Sequence, residues 1–163
     1  MTPQPTGRLV STSDGRDLIL IRSFQATIDD VWASITESDR TAKWFVSWTG
    51  DAGPGKTIRC TLEFEEGKPH GEMTIDACEP PSRLAVRTAD EYGGWRLEAQ
   101  LAEQDGVTVL SLTHHLDDGA DVGSIGPGWE YYLDNLVAAR SGSELPAFTS
   151  YYPAQKAYYE GLA

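Results

Sequence analysis

The chain reads as an α+β fold: a curved antiparallel β-sheet wrapped against one long C-terminal helix, with two short helices after the first strands and a short helical tail. Three observations predict this. Trp129, Tyr132, Leu133, Leu136, Val137 and Arg140 recur at i, i+3, i+4, i+7, i+8 and i+11, which is one face of a helix from Pro127 to Arg140, roughly 20 Å long. The segments before it alternate apolar and polar residues with a period of two, the signature of half-buried strands. At 163 residues and 40% hydrophobic content, the chain is long enough to bury a core without a metal or a disulfide.

The elements follow in order. Leu9 to Thr12 and Asp17 to Phe24 flank the turn pair Asp14 and Gly15, a β-hairpin. Thr27 with Asp30 three residues on forms a variant capping box, opening a helix with Ile28, Val31, Trp32 and Ile35 on one face. Ser38 to Lys43 supplies a second short helix, ending at Trp44, Phe45 and Trp48. Ile58, Cys60, Leu62 and Phe64 then alternate with Thr57, Arg59, Thr61 and Glu63, and the strand returns through Gly71 to Cys78 with Met73, Ile75 and Ala77 on one side. Leu84, Val86 and Thr88 follow the break at Pro80 and Pro81. Trp95 to Leu101 and Thr108 to Leu116 complete the meander across the turn pair Asp105 and Gly106. Gly119 to Gly128 reads as a Gly-rich approach to the long helix, with Pro127 near its first position and Gly142 at its end. Pro153 to Tyr159 reads as the helical tail.

Composition excludes several functions. A net charge of −12 argues against nucleic acid, because phosphate binding needs a basic stripe. Between Arg96 and Arg140 there are eight acidic residues and no Lys or Arg, read as a solvated acidic surface. Two widely spaced cysteines, Cys60 and Cys78, suit a reducing cytoplasm. Residues 1–7 contain no apolar run of the secretory type, and no stretch is long enough to span a membrane. A cytoplasmic location is expected.

One motif is deceptive. Gly50 to Thr57 satisfies the phosphate-cradling pattern G-x-x-x-x-G-K-[ST]. That chemistry needs a helix to start at Lys56 and Thr57 so that its N–H groups meet the phosphates. The residues that follow, Ile58 to Phe64, have strand periodicity instead, so the loop is read as a Gly-rich turn.

No catalytic signature is present and no cofactor is expected. His114 and His115 are adjacent on a strand and point to opposite faces, which rules out a shared metal, and no zinc spacing occurs. Cys60 shares a face with Ile58 and Leu62 and reads as a small hydrophobe. Asp90 and Glu91, beside Tyr92 and Gly93, read as an exposed turn. The aromatic inventory is more suggestive. Trp44, Trp48, Trp95 and Trp129 fall where elements should surround the space between sheet and helix, as core or as cavity wall. His114, Tyr132, Arg96 and Thr88 are candidate polar contacts there.

The order of these segments resembles the SRPBCC (START-like, Bet v 1-like) superfamily, and within it the bacterial proteins similar to the activator of Hsp90 ATPase. The resemblance rests on Phe24 to Trp32 at the opening of the first helix, the pair Trp44 and Phe45, and Gly53-Pro54-Gly55 before the Ile58 strand. Gly71-Glu72-Met73, Glu79 to Leu84, and Gly128-Trp129 with Leu133 and Leu136 add to it. It covers about residues 17–141, so 1–163 is expected to form one such domain with residues 143–163 as an extension. It implies a helix-grip fold, with a hydrophobic cavity between the sheet and the helix. Members bind lipids, sterols, polyketides or other small apolar molecules, some are cyclases or dehydratases, and others act on the Hsp90 chaperone.

The leading expectation is a binding protein for a small hydrophobic molecule, with Trp44, Trp95, Leu97, Leu110, Leu112, His114, Trp129, Tyr132 and Leu136 as cavity walls. The alternatives are a polyketide cyclase or dehydratase using His114 or a Tyr as acid–base group, and a chaperone-interacting protein. Phe148, Tyr151, Tyr152, Tyr158 and Tyr159 are expected to lie exposed or half-exposed on the tail, where they could form a homodimer seam.

Overall fold

The computed structural model describes residues 3–88 and 94–163. Eight strands, β1 (Arg8–Thr12), β2 (Gly15–Phe24), β3 (Val46–Thr49), β4 (Thr57–Leu62), β5 (His70–Glu79), β6 (Arg83–Thr88), β7 (Arg96–Gln104) and β8 (Val107–Leu116), form one antiparallel sheet in the order β1-β2-β8-β7-β6-β5-β4-β3. Helices α1 (Ile28–Thr36) and α2 (Ser38–Thr41) sit between β2 and β3, where the chain crosses from one side of the sheet to the other edge. Helix α3 (Val122–Ser141) is the long helix clasped by the sheet, and α4 (Lys156–Leu162) closes the chain. This is the helix-grip arrangement that the sequence predicts. Among the described residues no helix is long and apolar enough to cross a membrane.

The local signals work as their chemistry requires. The Asp30 amide donates to the Thr27 hydroxyl at 3.3 Å, capping α1. Asp105 and Gly106 take φ of 54° and 79° in the β7–β8 turn, the left-handed pair that matches the twist of a tight hairpin. In the first hairpin the turn lies one residue earlier than expected. Thr12 pairs with Gly15, so Ser13 and Asp14 form the loop and Gly15 opens β2. Gly15 has φ 151° and a Cβ there would collide with the Leu116 carbonyl.

One strand is added and three sequence expectations are corrected. Val46–Thr49 is a strand, paired with β4 through Val46–Leu62 and Trp48–Cys60; four residues behind an aromatic pair are too short to show a period. A bulge between Ile75 and Ala77 changes the register of β5, so that Cys78, opposite Leu84, turns inward rather than Ala77. Helix α3 begins at Val122, with Pro127 inside it, although Pro forfeits one backbone bond. The reason is tertiary: the Tyr159 ring of α4 lies so close to Gly126 that a Cβ could not fit between them. Finally, Tyr151 and Tyr159 are 1% and 0% exposed, which removes both from any homodimer seam; Phe148 and Tyr158 remain exposed and Tyr152 half-buried.

The acidic stretch is also less solvated than composition suggests. Glu130 is 1% exposed and is paired with Arg22 at 2.8 Å. It accepts further bonds from the Tyr159 hydroxyl and from Thr6. Burial alone would raise its pKa, but the hydrogen bonds from Tyr159, Arg22 and Thr6 outweigh burial and hold it below the usual range. Arg22 also reaches Asp134 at 3.0 Å, while the Tyr159 hydroxyl lies 3.1 Å from the Gly7 amide. This buried cluster ties the N-terminal segment, β2, α3 and α4 together. It explains why Val137 is 39% exposed on nearly the same face as Glu130: the N-terminal segment and α4 cover only the first half of α3. At the other end, Arg140 bonds Asp30 at 2.7 Å and fixes α3 to α1.

The turn proposed at Asp90 and Glu91 lies outside the described residues. The loop Gly50 to Lys56 leads straight into β4 at Thr57, so no helix N-terminus is available there for a phosphate.

Candidate functional site

Two cavities border the space between sheet and helix, and Trp129 has a face in both. The inner cavity holds about 230 Å³, small beside the usual ~300–1,000 Å³ of sites for drug-sized ligands. Inward residues of β4 to β8 form one wall, including Ile58, Cys60, Ile75, Val86, Leu97 and Leu112, because alternate side chains of each strand share one face. Trp129 and Leu133 of α3 form the opposite wall, and Ile35, Trp44 and Phe45 close the end beside α1 and α2. Its polar side chains are Thr36 and Thr41, with the thiols of Cys60 and Cys78, and no Asp, Glu, Lys, Arg or His is among its described lining residues. The hydroxyl of Thr36 is already bonded to the Trp32 carbonyl at 2.7 Å and that of Thr41 to the Ser38 carbonyl at 3.3 Å.

The indoles of this region are fixed the same way. Trp44 Nε1 donates to the Ser34 carbonyl at 2.9 Å and Trp48 Nε1 to the Thr36 carbonyl at 2.9 Å. Phe45 packs 5.4 Å from Trp129 and 4.9 Å from Tyr132, centroid to centroid. With their polar atoms satisfied elsewhere, the rings turn only carbon toward the space. Burial pushes the Cys60 thiol up to about 11, so it is a neutral, unreactive part of the wall at ordinary pH.

The outer cavity, about 330 Å³, lies on the other side of Trp129. Trp95, Tyr131, Tyr132, Phe64 and Phe148 line it, together with Glu65 from the turn after β4. The Tyr132 hydroxyl donates to Glu65 Oε1 at 2.9 Å; burial and the neighbouring carboxylate push that phenol well above its usual pKa.

The nine expected wall residues therefore divide. Trp44, Leu97, Leu110, Leu112 and Trp129 border the inner cavity, while Trp95, Tyr132 and again Trp129 border the outer one. Leu136, at 1% exposure, is core beside neither. His114 is 2% exposed and lies behind Trp129, with its Nδ1 accepting from the indole Nε1 at 3.0 Å. Burial, with smaller contributions from His115 and Arg96, drives its pKa down to about 4. It is a neutral acceptor that holds Trp129 in place between the cavities. His115 points away and pairs with Asp17 at 2.7 Å. Of the other candidate contacts, Arg96 lies on the far side near Asp117, and the Thr88 hydroxyl accepts from the Trp95 amide at 3.0 Å. Sequence reasoning missed Phe45, Cys78 and Tyr131 as wall residues. Phe45 was visible only as half of an aromatic pair, Cys78 depended on the bulge, and Tyr131 lies off the expected helix face.

Known proteins give the following likenesses. The family model described as Activator of Hsp90 ATPase homolog 1-like protein matches residues 25–140. Among solved structures, CalU16 from Micromonospora echinospora is 25% identical, with a TM-score of 0.76 over 98% of this chain and 96% of that one. DynU16, a protein of the dynemicin biosynthetic locus, is 22% identical with a TM-score of 0.67, covering 84% of this chain and 50% of that one. The Aha1 dimer from Colwellia psychrerythraea is 18% identical with a TM-score of 0.63, over 76% of this chain and 94% of that one. No curated protein matches the sequence.

Proposed function

The chain belongs to the family of Activator of Hsp90 ATPase homolog 1-like proteins, and from that membership and the geometry above we propose that it binds a small, uncharged, apolar molecule in the inner cavity. The observation that carries this reading is the lining itself: mostly apolar side chains and, among the described residues, no carboxylate, amine, guanidinium or imidazole. Burying a charge there would be costly without a partner, whereas apolar surface gains roughly 25 cal/mol per Å² on leaving water. Trp44, Leu97, Leu110, Leu112 and Trp129 are the walls that grip it. An aromatic or polyketide-derived metabolite fits this chemistry, and a neighbour in fold comes from a natural-product locus.

Ala99→Trp tests the proposal, because it fills the cavity from a strand position that borders it. Native mass spectrometry of the wild type should release an apolar small molecule. An environment-sensitive apolar dye should bind the wild type and lose about tenfold or more in affinity in the variant, each 1.4 kcal/mol being a factor of ten. Unchanged dye binding by a folded Ala99→Trp protein would sink the reading. The cyclase or dehydratase reading is less favoured, since the candidate acid–base group His114 is engaged by Trp129 and sits behind it. Failure to bind purified bacterial Hsp90 in a pull-down would count against the chaperone reading, which rests on the family likeness.

A further inference from the structure

We infer that the outer cavity is a second binding site, an aromatic cage for a substituted ammonium group. The first observation is its wall. Trp95, Trp129, Tyr132, Tyr131 and Phe148 follow one another with centroid separations of 5.7, 5.9, 5.3 and 5.4 Å and interplanar angles of 60°, 56°, 53° and 77°. Tilted and edge-to-face contacts of this kind join the five rings into one continuous aromatic surface. The rings line a volume of about 330 Å³ that remains open among them. Aromatic rings bordering one space attract a cation that meets their faces through the ring quadrupoles, and a bulky substituted ammonium uses such a lining better than a primary amine, which needs hydrogen-bond acceptors.

The second observation is charge. Glu65 is the one charged residue among the described lining residues; no Lys, Arg or His joins it. Tyr132 holds one of its oxygens by a hydrogen bond at 2.9 Å, which orients the carboxylate at the rim beside the rings. The inner cavity has the opposite character, with no charged side chain among its described lining residues, so the two spaces select different chemistry although Trp129 borders both. The net charge of −12 favours approach of a cation further. A single carboxylate is too few donors for a metal ion, and the surrounding carbon suits a soft organic cation.

Choline and its neutral isostere 3,3-dimethylbutan-1-ol separate charge from shape. Titration of each into the full-length protein, followed by tryptophan fluorescence and by the indole N–H resonances, should show choline binding about tenfold or more tighter than the alcohol. Glu65→Gln keeps an acceptor for Tyr132 and should weaken choline several-fold without changing the affinity for the alcohol. Tyr131→Leu should weaken choline as well, and rising salt should weaken it through screening of the exposed carboxylate. Equal or tighter binding of the alcohol, absence of choline binding, or a choline affinity untouched by Glu65→Gln would overturn the inference. Ala99→Trp should leave choline binding intact, so failure of the inner-cavity reading and failure of this one are told apart.

Discussion

His114 shows how one side chain is turned from a chemical candidate into a structural one. Strand alternation placed it inward with Leu110 and Leu112, and its indole partner then made it a permanent acceptor. The folded protein keeps this imidazole neutral down to about 4, against an ordinary value of 6.5. Between those values the unfolded chain binds the extra proton, so stability is complete above 6.5 and falls as the pH drops toward 4. The expected loss across the window is on the order of 3 kcal/mol. Glu130 and Asp30 have pKa values lowered from 4.5 and 3.8, so their contributions are lost only at lower pH and leave the upper part of the window to His114. Urea denaturation at a series of pH values should show this slope in the wild type and a flattened one in His114→Gln. An unchanged slope in the variant would assign it to another group.

At the scale of elements, the start of α3 is decided by what packs on it. A Gly-rich segment carries a poor helix propensity, yet Val122 to Gly128 is helical, and Gly123 and Gly126 let α4 pack closely against it. Gly126 meets the Tyr159 ring, whereas Gly128 has open space where a Cβ would sit. The two glycines should therefore respond oppositely to the same substitution. Gly126→Ala should cost about 1–3 kcal/mol through overpacking, and Gly128→Ala should gain up to about 1 kcal/mol from helix propensity. Equilibrium denaturation of both variants checks this; a neutral Gly126→Ala would mean that α4 does not pack as closely as described.

At the scale of the molecule, the tail belongs to the structure. Tyr159 fills the space over Gly126 and donates to Glu130, and Tyr151 donates to Asp134 at 2.7 Å. Truncation after Ser143 strips Glu130 of a donor and uncovers the first half of α3. The loss should reach several kcal/mol, which at about 2–4 °C per kcal/mol lowers the melting temperature by about 10 °C or more. Calorimetry of the truncated chain reads this directly. A melting temperature within a degree or two of the wild type would make the tail a mere appendage, as the sequence suggested when its aromatics were read as a surface seam.

The sequence by itself determined the alternation of most strands, the capped first helix, most of the buried face of the long one, and with these the helix-grip architecture. It also exposed the false phosphate loop, since period two after Lys56 is a local property. These signals are legible because they repeat along the chain at the spacing of a helix or a strand. Tertiary structure decided the rest. The β5 bulge chose Cys78 over Ala77, and the missing Cβ of Gly126 let the Tyr159 ring pack against α3. Arg22 made a buried residue of Glu130, and Trp129 was placed as the partition between two spaces of different character. Each of these depends on a partner many positions away, and no local period records which partner that will be.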